Sequence, residues 1–264
     1  HRQRLEMKRA QVRLKRVDVE IGMLAVAARK TRHAARPTVR QRDGNAVDHA
    51  ELRRLVDKLT TNETYFFREP DHYALLEREL NLYPDWYLAR HRGVAPEPGV
   101  RATLSTAFER LLANNLAQGR VYVHRDYHSR NLMVLEGAAN PGILDFQDAV
   151  HGPVTYDLVS LLQDARVDVP EPVEIAMLAR YARERRDADP AFDSAAFAEQ
   201  YAIMSAQRNT RLLGTFARLN RRDGKPHFLR HQPRIWTYLN RSLAHPALVV
   251  FRDWYAANVP PPGS

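Results

Sequence analysis

The chain contains no cysteine among its 264 residues. This absence excludes a disulfide framework, thiol catalysis and cysteine-ligated zinc or iron–sulfur sites, but it leaves oxygen-ligated metals open. No stretch approaches the roughly 18 consecutive apolar residues that a membrane span requires. The first residues also lack the short apolar run of a secretory signal. We therefore expect a cytoplasmic protein without a membrane partner.

Glycine is scarce and scattered. The 11 glycines never form the G-x-G-x-x-G turn that binds dinucleotides. No glycine-rich loop and no strand-borne V-A-I-K lysine precedes residue 76, and residues 1–76 have helix-like patterns. The sequence therefore offers no strand-rich half that would cover the phosphates of a nucleotide.

The net excess of positive charge lies at one end of the chain. Residues 1–43 hold 13 Lys and Arg against 4 Asp and Glu, which accounts for the whole formal excess of +9. No aromatic residue interleaves these charges between Leu5 and Arg29, which weakens the case for nucleic-acid binding. We expect a basic helix that packs on a neighbour, with nucleic-acid or membrane-surface binding as the alternative.

The stretch "RVYVHRDYHSRNLMVL" places polar residues between two short apolar runs. Val121–Val123 and Leu132–Leu135 read as strands, and the segment between them reads as a loop. Asp126 belongs to His-Arg-Asp, and Asn131 follows it by five positions, as in the kinase pattern H-R-D-x-x-x-x-N. Asp145, in "GILDFQD", follows another apolar run. These residues predict a phosphoryl-transfer centre.

Each of these side chains has a role that its chemistry allows. Asp126 is the predicted base or acceptor-orienting group, because phosphoryl transfer needs a carboxylate near the attacking hydroxyl. Asn131 and Asp145 are the predicted Mg²⁺ ligands, since hard cations take oxygen donors. We expect His124 to hold the loop by side-chain hydrogen bonds.

The segments "HRDYHSRNLM" and "GILDFQDAVHGPVTYDLVSLLQDA" resemble the aminoglycoside phosphotransferase family. Within it, "LYPDWYLARH" and "QRNTRLLGTFARLNRRDGKPHFLRHQPRIWTYL" are similar to bacterial kinases of the anomeric hydroxyl of N-acetylmuramate and N-acetylglucosamine. The similarity runs from about Leu76 to Pro260. It implies the helical C-lobe of a kinase-like fold, ATP and Mg²⁺ as cofactors, an amino sugar as the small-molecule partner and a place in cell-wall recycling. By the same resemblance, Asp157 is a structural aspartate that binds loop amides.

A different resemblance covers Thr60–Leu76, "TTNETYFFREPDHYALL". This stretch is similar to a conserved segment of CheR-type receptor methyltransferases. We therefore divide the chain into a helical, basic segment at residues 1–76 and a kinase-like C-lobe at residues 77–260. The fold class is α+β and mainly helical, with the N-terminal segment in place of the usual N-lobe.

Two alternatives to a working kinase stay open at this stage. A non-catalytic kinase-like binding module fused to a methyltransferase-like segment would explain the missing phosphate-covering half. An S-adenosylmethionine methyltransferase has only residues 60–76 in its favour. For a kinase, we name Asp148, Arg208 and Asn209 as candidate contacts to the sugar; the oligomeric state cannot be read from the sequence.

Overall fold

The computed structural model describes residues 72–133 and 141–259 of the chain. Its helices are, in order, α1 (His72–Leu82), a π-helix (Tyr83–Arg92), α2 (Pro98–Ala117), α3 (Tyr156–Leu162), α4 (Glu171–Ala188), α5 (Ser194–Asp223), α6 (Gln232–Leu243) and α7 (Val249–Asn258). Short 3-10 helices lie at Ser129–Asn131, Pro226–His231 and Pro246–Leu248. The strands are β1 (Arg120–Val123), β2 (Leu132–Met133), β3 (Gly142–Ile143) and β4 (Val150–Pro153). The expectation of a mainly helical α+β fold is confirmed, and the described strands form only small sheets.

Helix α5 is the central element of the fold. Its 30 residues begin after Asp193, whose carboxylate accepts hydrogen bonds from the backbone N–H groups of Ala195 and Ala196. It ends at Gly224, which has a left-handed φ of 63°. Helices α1, α2, α3 and α6 and the π-helix all pack against α5.

The π-helix follows from one proline inside a helical run. Pro84 has no N–H with which to continue the i to i−4 pattern of α1, and its ring crowds the preceding turn. From Tyr83 to Arg92 the chain continues with the wider hydrogen bonding of a π-helix, a rare form in proteins. Tyr83 and Tyr87 are fully buried and their rings stack with centroids 5.2 Å apart. This segment anchors the N-terminal side of the described fold to α5.

The strands form two separate antiparallel pairs. β1 pairs with β4, with Val123 opposite Val150. β2 pairs with β3, with Leu132 opposite Ile143. The two strands predicted around the polar loop are therefore present where residues are described, but each pairs with a different partner. The loop is consequently fixed at both ends by different pieces of the chain.

Two apolar clusters form the core. One lies between α1, the π-helix, α2 and the C-terminal helices, and includes Leu80, Leu112 and Leu213. The other lies behind β1 and the loop that follows it, and includes Val159 and Met204. This second cluster packs against the predicted catalytic loop on the side that faces the interior of the protein.

Several predictions concern residues outside the described ranges. The basic helix of residues 1–43 and most of the methyltransferase-like stretch 60–76 belong to this group. The proposed boundary at residue 76 falls within α1, and the division into residues 1–76 and 77–260 stays a prediction. Within the described residues, no helix combines the length and the apolar character needed to span a bilayer.

Candidate active site

The loop after β1 is held in an unusual backbone conformation by a distant aspartate. Arg125 has a φ of 72°, in the left-handed region that non-glycine residues rarely adopt. The Asp157 carboxylate accepts hydrogen bonds from the backbone N–H of His124 at 2.6 Å and from that of Arg125 at 3.0 Å. Charge-assisted bonds of this kind are stronger than neutral ones and can offset the backbone strain. Asp157 thereby sets the direction in which Asp126 leaves the strand.

His124 joins this loop to the next one. Its side chain is only 2% exposed, and its Nε2 donates a hydrogen bond of 2.8 Å to the backbone oxygen of Leu144. Leu144 directly precedes Asp145. The imidazole therefore fixes the distance between the loop that carries Asp126 and the loop that carries Asp145.

The side chain of Asn131 is hydrogen-bonded to the backbone of Asp126. The Asn131 Nδ2 donates a 2.9 Å hydrogen bond to the backbone oxygen of Asp126. The same oxygen accepts from the backbone N–H of His128 at 3.0 Å. The Asp126 side chain itself is exposed, so its carboxylate is accessible to a substrate.

Asp145 lies next to Asn131 because of the pairing of β2 with β3. The backbone N–H of Leu144 donates to the backbone oxygen of Asn131 at 2.9 Å, just beyond that pair of strands. Asp145 has a φ of 65°, and its Oδ1 accepts a 2.9 Å hydrogen bond from the Gln147 side chain. The fold thus brings together the three residues that the sequence analysis selected, Asp126, Asn131 and Asp145.

This donor set suits Mg²⁺. Because the Asn131 amide nitrogen is used by Asp126, its carbonyl oxygen is the side-chain atom left for a ligand. Asp145 adds an exposed carboxylate. Within residues 72–133 and 141–259, no group of three or more His, Cys, Asp or Glu side chains forms a metal cage. An amide and one carboxylate nevertheless fit Mg²⁺, which is commonly held by one or two carboxylates together with waters and substrate phosphates.

A second buried aspartate anchors the other end of the loop. Asp164 is 1% exposed, and its Oδ2 accepts from the Ser129 backbone N–H at 3.1 Å and from the Ser129 Oγ at 2.6 Å. Its Oδ1 accepts from the backbone N–H of Arg166 at 2.8 Å. The sequence analysis did not identify Asp164. No local signal marks it, because an aspartate just after an apolar helix is equally compatible with a solvated helix end.

A third carboxylate joins two arginines beside the loop. The Glu79 Oε1 lies 3.1 Å from a guanidinium nitrogen of Arg125 and 3.2 Å from one of Arg211. These three residues come from α1, the loop and α5. Because all three side chains are less than a third exposed, the ion pairs are screened less than surface pairs. The network ties the loop to the two helices beneath it.

The predicted sugar contacts lie in different surroundings. Asp148 is exposed in the turn before β4. Arg208 is 3% exposed and donates to the Ser160 Oγ at 2.9 Å, and Asn209 is fully buried and donates to the Gln163 Oε1 at 2.6 Å. Both α5 side chains thus donate hydrogen bonds inside the fold, while Arg208 Nε and Asn209 Oδ1 are buried without a hydrogen-bond partner among the described residues. Their role in sugar binding stays a prediction.

Comparisons with known proteins found sequences related to this chain. The sequence profile of the "Phosphotransferase enzyme family" matches residues 9–196, which is more than half of the chain. That range includes residues 60–76, and the methyltransferase resemblance of this stretch has no support in the comparisons.

Curated relatives carry the name N-acetylmuramate/N-acetylglucosamine kinase. The protein from Pseudomonas aeruginosa is 47% identical over 175 residues, which are 65% of this chain and 51% of the relative. The one from Pseudomonas putida is 41% identical over 169 residues, 63% of this chain and 49% of the relative. The one from Neisseria meningitidis is 42% identical over 177 residues, 66% of this chain and 52% of the relative. The chain thus spans about half the length of the curated relatives it matches.

Proposed function

The chain belongs to the phosphotransferase enzyme family, and we propose that it transfers a phosphoryl group from ATP to a hydroxyl of an amino sugar. The acceptor in this proposal is the anomeric hydroxyl of N-acetylmuramate or N-acetylglucosamine, as the names of the relatives suggest. The reaction would occur in the cytoplasm and serve the recycling of cell-wall sugars. The observation that carries the proposal is the hydrogen-bonded junction of the Asp126 loop with Asn131 and the strand-end Asp145.

In this mechanism Asp126 acts on the acceptor. Its exposed carboxylate accepts a hydrogen bond from the sugar hydroxyl, orients the oxygen for attack on the phosphorus and takes up the proton. Positioned proton acceptors of this kind typically contribute about 10²- to 10⁴-fold to the rate. Asp126 can do this only if its backbone is fixed, which is the effect of the contacts made by Asp157 and Asn131.

Asn131 and Asp145 would hold Mg²⁺ with the phosphates of the nucleotide. When bound there, Mg²⁺ supplies positive charge that neutralises the phosphate oxygens. Gln147 and the backbone of Leu144 position these two ligands. His124 keeps the metal-binding loop at a fixed distance from Asp126 through its bond to Leu144.

The non-catalytic alternative is not favoured. The relatives are named as kinases. This chain also carries Asp126, Asn131 and Asp145, which the proposed reaction would use. The absence of a phosphate-covering half rests on residues 1–71, which lie outside the described ranges, and it stays a prediction. A measurement of Mg-ATP binding tests it directly.

The decisive experiment separates binding from chemistry. We would titrate Mg-ATP into the protein by calorimetry and measure phosphorylation of both sugars in Asp126→Ala, Asp145→Ala and a control, Asp187→Ala. Asp187 is an exposed carboxylate on α4, outside the proposed active site. Asp126→Ala should lower turnover by roughly 10²-fold or more but leave Mg-ATP binding intact. Asp145→Ala should weaken Mg-ATP binding itself, and Asp187→Ala should change neither quantity.

Two results would contradict the proposal. One is a folded wild-type protein that binds no Mg-ATP or phosphorylates neither sugar. The other is an Asp126→Ala protein that turns over at the wild-type rate.

A further inference from the structure

Arg166 is a half-buried arginine whose backbone shares a carboxylate with the loop of the proposed active site. Arg166 follows α3, and its backbone N–H donates to the Asp164 carboxylate. Within the part of the chain that the structure describes, its side chain forms no hydrogen bond and no ion pair. Burial of a charge has a free-energy cost, and buried polar groups normally have partners. The guanidinium of Arg166 is therefore available to a negatively charged ligand group.

Asp164 ties Arg166 to the catalytic loop. Asp164 Oδ1 accepts from the Arg166 backbone. Asp164 Oδ2 accepts from both the backbone N–H and the hydroxyl of Ser129. Ser129 lies three positions after Asp126. Burial lowers the pKa of Arg166, while the nearby carboxylates of Asp164 and Asp126 act in the opposite direction. The geometric link to the proposed base is Asp164, which binds both the backbone of Arg166 and Ser129 of the Asp126 loop.

The surroundings of Arg166 carry further positive charge. The pKa of His231 is lowered to about 4, first by burial and then by Arg230, Arg234, Arg166 and Arg130. Arg234 is already engaged, since it donates to the backbone oxygen of Ala165 at 2.9 Å. This leaves Arg166 as a guanidinium in a positive environment, which suits a negatively charged ligand group.

Two kinds of anion could occupy this position, and they bind in different ways. The phosphates of a nucleotide have their own counter-charge, supplied by the cation at Asn131 and Asp145. Arg166 is connected instead, through Asp164, to Ser129 in the loop that carries Asp126, the group that acts on the acceptor. The two candidate acceptors differ in a single charged group: N-acetylmuramate carries a lactyl carboxylate that N-acetylglucosamine lacks.

We propose that Arg166 binds the carboxylate of the acceptor and makes the protein prefer the acidic amino sugar over the neutral one. This inference rests on the proposed function and identifies the residue that selects its substrate. A planar guanidinium can bind a carboxylate through two parallel hydrogen bonds, which gives direction as well as attraction. Asp164 is then a positioning residue that fixes both Arg166 and the loop of Asp126.

The test compares the two sugars in matched variants of the full chain. Arg166→Gln removes the charge, Arg166→Lys keeps the charge without the planar fork, and Arg252→Gln is the control. Arg252 is exposed on α7 and pairs with its neighbour Asp253. For each protein we would measure kcat/KM with N-acetylmuramate and with N-acetylglucosamine, and the dissociation constant of N-acetylmuramate by calorimetry.

Arg166→Gln should lower kcat/KM for N-acetylmuramate by roughly 10- to 100-fold, the range expected for loss of a charge-assisted hydrogen bond. The value for N-acetylglucosamine should stay within about twofold, because that sugar has no carboxylate to lose contact with Arg166. Arg166→Lys should recover part of the loss. Arg252→Gln should behave as the wild type with both sugars.

The outcomes distinguish this inference from the proposed function. An equal loss for both sugars, a raised KM for ATP with both, or no loss at all would overturn the inference and leave the kinase intact. Phosphorylation of N-acetylglucosamine alone by the wild type would have the same meaning. If neither sugar is phosphorylated, the proposed function fails, and calorimetry still decides the anion site. Weaker N-acetylmuramate binding by Arg166→Gln than by the wild type supports the site, and equal or absent binding overturns it.

Discussion

Gly214 lies where α5 closely approaches the backbone between α1 and the π-helix, and it allows a sharp test of the packing. A Cβ built at this position lies 2.4 Å from the backbone carbon of Leu82, 2.5 Å from the nitrogen of Tyr83 and 2.6 Å from the oxygen of Leu82. Ordinary contacts begin at about 3.4 Å, so the two segments would have to separate by roughly 1 Å. The contacted atoms are backbone atoms and cannot rotate away.

We therefore expect Gly214→Ala to destabilise the protein. Overpacking typically costs about 1–3 kcal/mol and occasionally more. Replacing glycine by alanine inside a helix contributes up to about 1 kcal/mol in the opposite direction. With rigid backbone on the far side, the cost lies at the upper end of that range, and the net loss should be about 2 kcal/mol. This corresponds to a fall in Tm of roughly 4–8 °C for a protein of this size.

The assay is urea denaturation and thermal unfolding, followed by circular dichroism, with Gly99→Ala as the matched control. Gly99 lies in the first turn of α2, and a Cβ there would contact nothing within 4 Å. Because the same chemical change meets open space, Gly99→Ala should leave stability equal or raise it by about 0.5 kcal/mol. A Gly214→Ala protein as stable as the wild type would refute the close approach of α5 to the junction of α1 and the π-helix.

Two further predictions concern the loop and its surroundings. The free energy of unfolding of Asp164→Ala should be at least about 2 kcal/mol lower than that of Ser129→Ala. Asp164→Ala leaves several buried donors of Ser129 and Arg166 unsatisfied, whereas Ser129→Ala removes one hydroxyl. Equal midpoints of urea denaturation would contradict this prediction. Burial, followed by the charge of Arg166, lowers the pKa of His128 to about 4. The folded state therefore resists protonation of His128, and the stability that comes from its neutral form is present above pH 6.5 and is lost as the pH falls towards 4. Between pH 7 and pH 5 the wild type should therefore lose about 2 kcal/mol more of its unfolding free energy than His128→Gln, and parallel losses would show that His128 is not buried as the structure has it.

The sequence alone was sufficient to predict which residues lie together at the centre of the candidate site. Asp126 and Asn131 lie five positions apart in one loop, so their association is local and requires little knowledge of the fold. Asp145 is also close to them in the chain, and the antiparallel pairing of β2 with β3 brings its segment next to Asn131. The helix end at Gly224 was also readable, because only a residue that tolerates positive φ suits that position.

The anchors of the loop could not be read in the same way. Asp164 follows Ser129 by 35 positions, and Glu79 precedes Arg125 by 46. An aspartate or glutamate in a helical pattern is normally a solvated residue, and its role appears only when donors from distant segments reach it. Asp157 was assigned by resemblance to a family, and its contacts with the loop amides depend equally on the tertiary fold.

Helix α5 shows most clearly what only the tertiary structure decided. Ten consecutive residues, 201–210, are buried, because neighbouring elements cover the helix on all sides. A helix buried on every face has no solvent-exposed stripe from which hydrophobic periodicity could indicate its orientation. The polar character of Arg208 and Asn209 suggested a ligand, while the packing places their hydrogen bonds on Ser160 and Gln163. Arg166 is the opposite case, because its sequence context is ordinary. Only the fold leaves its guanidinium half-buried and without a hydrogen bond or ion pair among the residues that the structure describes, since the segments that surround it are far apart in sequence.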